Sequence, residues 1–149
     1  MTDFVEKPNP MLGNWSPCPY ARAARLNNKI WISYSNVVNL RTAVNDSLVE
    51  LEEYDVVVIC FDHTTISATE CECLTATLNE TIMKNDYVIL EDHPASVELI
   101  NGVQMNFGKS GLFVIQKLSK LNLAAAQLSS KGYYHSWSAE NLADVVNWR

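Results

Sequence analysis

The feature that most constrains the fold is an uninterrupted apolar run, Val56-Val57-Val58-Ile59-Cys60-Phe61. Most of its residues are β-branched, which favours a strand over a helix. A strand without polar alternation is covered on both faces, as in a parallel sheet with helices packed on each side. Parallel strands need long crossover connections, so the run predicts an α/β fold with helices before and after it.

The flanking segments match this expectation. Ile30 to Tyr34 is rich in aromatic and β-branched residues and predicts a first strand. Apolar residues then recur every three or four positions from Val37 to about Glu53, which predicts a helix. Ser67-Ala68-Thr69-Glu70 matches a capping box and begins a second helix that ends near Asn85. Tyr87 to Leu90 predicts a third strand, and right-handed crossovers make the three strands parallel.

The remainder of the chain predicts smaller elements around this unit. Val103 to Phe107 and Leu112 to Gln116 predict a C-terminal antiparallel hairpin. Two helices follow, one from about Ser119 to Lys131 and a short one capped by Ser138. Residues 1–17, with their prolines and scattered apolar groups, predict an irregular N-terminal arm. The expected organisation is therefore a single α/β domain over residues 1–149.

Charge and composition narrow the classes of partner. A net charge of −6 and a pI near 4.9 argue against a nucleic-acid-binding protein, whose affinity depends on Lys and Arg. The first residues lack the apolar segment of a signal peptide, and no apolar run approaches the ~20 residues that span a membrane. We therefore expect a soluble cytoplasmic protein whose four cysteines are free thiols. The partners left open are a small-molecule substrate and a second copy of the chain in a homo-oligomer.

Two Asp-His pairs supply the first candidate site. Asp62-His63 and Asp92-His93 each follow a predicted parallel strand, and ligands bind at the carboxyl edge of such sheets. If the two strands are neighbours, the histidines and aspartates converge, together with Glu91. We expect His63, His93 and Asp92 to act in proton transfer, or both pairs to ligate a divalent metal ion as cofactor. The alternative is that these residues only begin loops and cap helices.

Cys18 is the second candidate. It lies at the predicted start of a short helix, where backbone dipoles and nearby cations lower a thiol's pKa and favour a nucleophilic thiolate. Arg22 and Arg25 follow on the next turns and could bind an anionic substrate. A buried, inert cysteine is the alternative.

The segment Cys18-Pro19-Tyr20-Ala21-Arg22 resembles small uncharacterised bacterial proteins that carry Cys-Pro-Phe/Tyr-Ala-Arg near the N-terminus. This resemblance implies no activity. The start of the segment is also similar to the glutaredoxin motif, but no strand precedes it and no later cis-proline segment is evident, so we do not assign that family.

Other segments predict structure rather than chemistry. Gly108-Lys109-Ser110 lacks the earlier glycine of a phosphate-binding loop and predicts a turn with a solvated lysine. Cys71 falls on the apolar stripe of its helix and Cys73 points away from it. Aromatic residues from Tyr133 to Trp137, with Trp148, predict either packing or a surface for a partner.

Three hypotheses for function follow. The first is a small enzyme with a His/Asp site at the carboxyl edge of the sheet, acting on a small polar or anionic substrate. The second is a non-catalytic binding or regulatory module that uses the aromatic C-terminal surface. The third is a thiol-dependent enzyme with Cys18 as nucleophile.

Overall fold

A computed structural model of the chain describes residues 2–149; Met1, part of the predicted arm, lies outside them. In chain order the helices and strands are α1 (Thr2–Val5), α2 (Ala21–Leu26), β1 (Ile30–Tyr34), α3 (Leu40–Ser47), β2 (Val56–Phe61), α4 (Ala68–Ile82), β3 (Tyr87–Asp92), β4 (Leu99–Ile100), β5 (Val103–Gln104), β6 (Gly111–Lys117), α5 (Leu118–Ser130) and α6 (Ala139–Leu142). Short 3-10 helices cover Pro10–Leu12, Val37–Asn39, Leu48–Glu52, His63–Thr65 and Met83–Asn85, and a π-helical turn covers Ala143–Asn147.

The α/β fold predicted from the sequence is confirmed, and several elements have the predicted bounds. β1 and β2 span the predicted residues, and β3 extends to Asp92. The capping box at the start of α4 is complete, because the Ser67 and Glu70 side chains each accept from the other's backbone N–H. The helix predicted over 37–53 is instead α3 with a 3-10 turn at each end. Valine and asparagine at its start are weak helix formers, which fits the tighter first turn.

The order of the strands was left open by the sequence. β1 and β2 pair in parallel, but β6 lies between β2 and β3 and is antiparallel to both, giving the order β1-β2-β6-β3. The strands β1, β2 and β3 therefore point the same way, as predicted, without all being neighbours. Their carboxyl ends and the amino end of β6 share one edge of the sheet, which we call the carboxyl edge.

A C-terminal antiparallel hairpin is present, but its strands are not the predicted ones. Val103–Gln104 pairs with Leu99–Ile100 instead of with β6. Asn101 and Gly102 join these short strands with φ of 51° and 78°, the left-handed conformations that tight hairpin turns require and that Asn and Gly adopt most readily. β6 therefore pairs with β2 and β3 in the main sheet.

The core lies between the sheet and the helices α3 and α4. Alternate side chains of β2, β3 and β6 point to this face and meet the apolar stripes of the two helices. The buried cluster comprises Leu40, Val44, Leu51, Val57, Ile59, Phe61, Cys71, Leu78, Ile82, Ile89, Phe113 and Ile115. On the opposite face, α5 packs against β3 and β6. Both faces of β3 and β6 are thus covered, and Val58 on the opposite face of β2 is buried as well.

A buried asparagine protects the outer edge of β3. In the register with β6, the N–H and C=O groups of Ile89 point away from β6. Asn79 of α4 accepts from the Ile89 N–H at 2.9 Å and donates to the Ile89 carbonyl at 3.0 Å. The side-chain amide thus takes the place of a neighbouring strand at this residue.

The N-terminal segment packs against the C-terminal region. Within the predicted arm, Asn9 and Trp15 form an isolated bridge and Leu12 is buried. The Trp15 ring meets Tyr133 edge-on at 5.6 Å, and the Tyr133 hydroxyl donates to the Pro17 carbonyl. Along residues 2–149, no helix combines the length and apolar character needed to cross a membrane.

Gly111 gives a test of the packing at the carboxyl edge. It pairs directly with Phe61, and a Cβ atom at this position would overlap the Phe61 ring. We expect Gly111→Ala to lower the free energy of unfolding by about 1–3 kcal/mol, because overpacking strains a filled core. Urea unfolding measures the change, with Ser110→Ala as the neighbouring control; equal stability of the two variants would contradict this packing.

Candidate functional site

A cleft opens at the carboxyl edge, where β1 and β2 end and β6 begins. Its volume is ≈ 580 Å³, within the range of small-molecule sites. The residues that line it come from three loops, and they are Tyr34, Ser35, Asn36, Cys60, Phe61, Asp62, His63, Lys109 and Ser110. Of the residues predicted for a site, the cleft contains Asp62 and His63.

The two predicted histidines lie together although their strands are not neighbours. The ring centroids of His63 and His93 are 5.9 Å apart in an edge-to-face arrangement. His93 is buried and His63 is half-buried at the cleft. The predicted convergence of the two loops is therefore observed, with different roles for the two rings.

His93 joins the loop after β2 to the loop after β3. Its Nδ1 accepts from the Ala95 N–H at 3.1 Å, so the ring proton must be on Nε2. Nε2 in turn lies 3.2 Å from the His63 carbonyl and 3.0 Å from the Ile66 carbonyl. Both ring nitrogens are thus committed to backbone groups, which suits a structural role better than proton transfer.

His63 differs from His93 because its ring nitrogens have no hydrogen-bond partner among residues 2–149. Its backbone is fixed by the 3-10 turn His63–Thr65, and its ring rests against the His93 ring. The imidazole therefore reaches the cleft with both nitrogens available, as a general acid or base needs.

Asp62 holds the turn that carries His63. Its Oδ1 accepts from the Thr64 N–H at 2.9 Å and from the Thr64 hydroxyl at 2.7 Å. These hydrogen bonds lower the pKa of Asp62, because they stabilise its charged form. The Asp62 carboxylate therefore orients the loop by binding Thr64, and it makes no hydrogen bond to the His63 imidazole.

Asp92 lies near His93 but faces the loop before β6. Its Oδ2 accepts from the Phe107 N–H at 2.7 Å, and its Oδ1 is buried without a partner among the described residues. Burial raises the pKa of Asp92, and it also raises the pKa of the neighbouring Glu91. Neither carboxylate lines the cleft.

The structure gives the metal hypothesis no support. Across residues 2–149, no group of three or more His, Cys, Asp or Glu side chains is placed to hold a metal ion. The physical reason lies in the proposed ligands, His63, His93, Asp62 and Asp92. His93 has no free nitrogen, and each aspartate already accepts backbone N–H groups.

Cys18 lies outside the cleft, near the aromatic C-terminal region. Its backbone N–H donates to the Val5 carbonyl, and the carbonyl of the preceding Pro17 accepts from the Tyr133 hydroxyl. The residue as a whole is exposed, yet desolvation of the thiol raises its pKa, with a smaller contribution from the charge of Glu6. The direction is opposite to the expected activation.

The expected cations are engaged elsewhere or exposed. Arg25 forms a two-point salt bridge with Glu6, at 2.7 and 2.9 Å, so its guanidinium is already paired. Arg22 is exposed, and its charge lowers the pKa of Glu6 less than Arg25 does. The structure therefore does not combine Cys18, Arg22 and Arg25 into one anion site.

Cys71 is buried, and most of the C-terminal aromatic residues are buried or half-buried. Burial raises the pKa of Cys71 to about 12, and Cys73 is exposed. Tyr133, Tyr134 and Trp137 pack on one another with ring centroids 4.9–5.4 Å apart. Of the predicted aromatic surface, Trp148, at 43%, and His135 are exposed.

The sequence did not point to the polar groups that complete the cleft. Lys109 and Ser110 were expected only as a solvated turn, and Asn36 was not named as a candidate. Asn36 caps the turn after β1, since its Oδ1 accepts from the Asn39 N–H. Its amide nitrogen, the Lys109 ammonium and the Ser110 hydroxyl have no partner among residues 2–149 and remain available to a ligand. Of the lining residues, Asp62 and His63 were expected at this edge from the sequence.

Comparison with known proteins gives no match. No protein-family model matches the chain, and neither a curated protein nor a solved structure is similar to it. The resemblance of residues 18–22 to small bacterial proteins remains untested. The function must therefore be argued from the geometry of the cleft.

The role of His93 can be tested by stability. We expect His93→Ala to lower the free energy of unfolding by about 1–3 kcal/mol, because buried carbonyl groups lose their donor. Denaturant unfolding measures the effect, and His135→Ala, which removes an exposed imidazole, is the control. If the two variants were equally stable, the structural role of His93 would be wrong.

The thiol of Cys18 can be tested by its reactivity. Because its pKa is raised, the thiolate that reacts with iodoacetamide should form only above the value of ~8.5 typical of free cysteine. Peptide mapping by mass spectrometry follows the alkylation of Cys18 against pH, with Cys18→Ser identifying the peptide. A midpoint below 8 would show instead that the thiol is activated.

Proposed function

We propose that the cleft at the carboxyl edge binds a small molecule with an anionic group, a carboxylate or phosphate, and that His63 transfers a proton to or from it. This is the first of the three hypotheses, now limited to one histidine and without a metal. The observation that carries it is the cleft itself, because an available imidazole and an unpaired ammonium group line the same opening.

The recognition of an anion rests on three donors from two loops. The Lys109 ammonium supplies a positive charge, and the Ser110 hydroxyl and Asn36 amide supply neutral donors. Hydrogen bonds to a charged group are stronger than those between neutral groups. No salt bridge involves Lys109 among residues 2–149, so its charge is not already neutralised.

Asp62 is the one acidic residue of the lining, and its charge opposes an anion. Two hydrogen bonds from Thr64 partly offset that charge and hold the carboxylate against the turn. The ligand is therefore expected beside Lys109 and Ser110, on the β6 side of the cleft. His63 then lies at the cleft wall, supported from behind by the His93 ring.

Proton transfer by His63 is favoured by its fixed position. A general base must keep a free nitrogen within hydrogen-bond reach of the reacting group. Its backbone is held on two sides, by the Asp62 turn and by the hydrogen bond from His93 to its carbonyl. The apolar wall formed by Phe61 and Cys60 lowers the local exposure to water.

The proposal predicts that anions bind and that the binding depends on Lys109. With inorganic phosphate and malonate as probes, two-dimensional NMR should show saturable shifts of the Ser35, Asn36 and Ser110 amides. Lys109→Gln should weaken the binding about tenfold or more, since it removes a charge-assisted hydrogen bond. Ring signals of His63 should follow the same curve, and those of His135 should not.

Lys84→Gln is the matched control, because Lys84 is an exposed lysine before β3, at the opposite edge of the sheet. The proposal is overturned if neither anion shifts the three amides, or if Lys84→Gln weakens binding as much as Lys109→Gln does.

A further inference from the structure

β1 forms one outer edge of the sheet, and its backbone groups on that side have no partner strand among residues 2–149. The Ser35 N–H donates to the Cys60 carbonyl, and the Lys29 carbonyl accepts from Val56. In a parallel strand, the N–H and C=O groups of one residue point to the same side, and those of the next residue point to the other side. The odd-numbered residues of β1 therefore face β2, and Ile30, Ile32 and Tyr34 direct theirs outwards.

The side chains of these same residues are apolar; those of Ile32 and Tyr34 are exposed, and that of Ile30 is half-buried. Trp31 packs against the core cluster, so Ile30, Ile32 and Tyr34 lie on the opposite face of the sheet. There, α5 covers β3 and β6 and leaves β1 open. Ile32 is 46% exposed and Tyr34 is 85% exposed. An unpaired edge and an apolar surface thus coincide on one short strand.

The usual devices that block edge pairing are missing from β1. Proteins protect edges with charged residues, prolines, bulges or covering groups. The sequence of β1, Ile-Trp-Ile-Ser-Tyr, contains no charge and no proline. By contrast, β3 at the other edge ends in Glu91 and Asp92, and Asn79 satisfies the outward groups of Ile89.

We propose that the outer edge of β1 pairs antiparallel with β1 of a second copy of this chain, joining the two sheets into a homodimer with two-fold symmetry. A two-fold axis at Ile32 places Ile32 opposite its own copy and Tyr34 opposite Ile30. In these pairs the outward residues exchange both backbone hydrogen bonds. Trp31 then lies opposite Ser33 on the other face.

A second copy fits this edge better than an unrelated partner for two reasons. β1 is already extended and ordered in each copy, so pairing does not require a flexible segment to fold. The strand is uncharged, so self-pairing sets no like charges opposite each other even though the whole chain carries a net charge of −6. Apolar residues instead meet across the two-fold axis, as in isologous dimers.

Sedimentation equilibrium of the full chain tests the proposal. At about 100 µM we expect a dimer, and Ile32→Lys should weaken it at least about tenfold by placing like charges opposite each other. Leu123→Lys is the control, because it also charges an exposed apolar residue but on α5. Circular dichroism and thermal unfolding establish that both variants are folded.

The register is tested by disulfide formation in a background with Cys18→Ser and Cys73→Ser. Ile32→Cys should cross-link two copies, since Cα atoms in a hydrogen-bonded pair are about 5.5 Å apart. Tyr34→Cys should not, because position 34 opposes position 30. A chain that stays monomeric, a dimer that Ile32→Lys leaves intact, or cross-linking through Tyr34→Cys alone overturns the proposal.

Discussion

The pairing of β6 on both of its sides is the interaction on which the rest of the structure depends. It inserts an antiparallel strand between β2 and β3, and so separates their ends by two strand spacings, or about 10 Å. The His93 ring spans that separation by reaching the His63 and Ile66 carbonyls. The same insertion brings the turn before β6, with Lys109 and Ser110, to the edge where His63 lies. Three adjacent parallel strands would not have placed that turn there.

Packing at the start of β6 supports this arrangement. Gly111 faces Phe61 across the pair, and the absence of a side chain leaves room for the ring. Phe61 in turn meets Phe113 edge-on at 5.2 Å, and it also forms part of the cleft wall. The residues that close the core therefore also shape the candidate site, so the cleft depends on the mixed sheet and not on loop residues alone.

Local signals in the sequence predicted the local structure well. The apolar run of β2 and the Ser67–Glu70 capping box each depend on residues close in the chain, and both predictions are confirmed. The partner of β6 was not predictable in this way. Leu112 to Gln116 has the pattern of a strand, but the choice between a local hairpin and a place in the central sheet depends on pairing with residues far away in the sequence. Asn101-Gly102 forms the turn of a different local hairpin, in which only Val103–Gln104 of the predicted strand Val103 to Phe107 takes part.

The candidate site was predictable to the same extent. The position of Asp62-His63 and Asp92-His93 after strands of one direction was enough to expect them at one edge. Their roles were not predictable. The hydrogen bond from the Ala95 N–H to His93 Nδ1 and the turn held by Asp62 both depend on backbone groups that the sequence pattern does not reveal. The decisive measurement is of contacts between Hα protons by NMR. We expect the Hα proton of Val114 to lie close to that of Val58, and the Hα proton of Ile115 close to that of Ile89, because β6 pairs with a strand on each side. Contacts between β2 and β3 in place of these two would contradict this pairing.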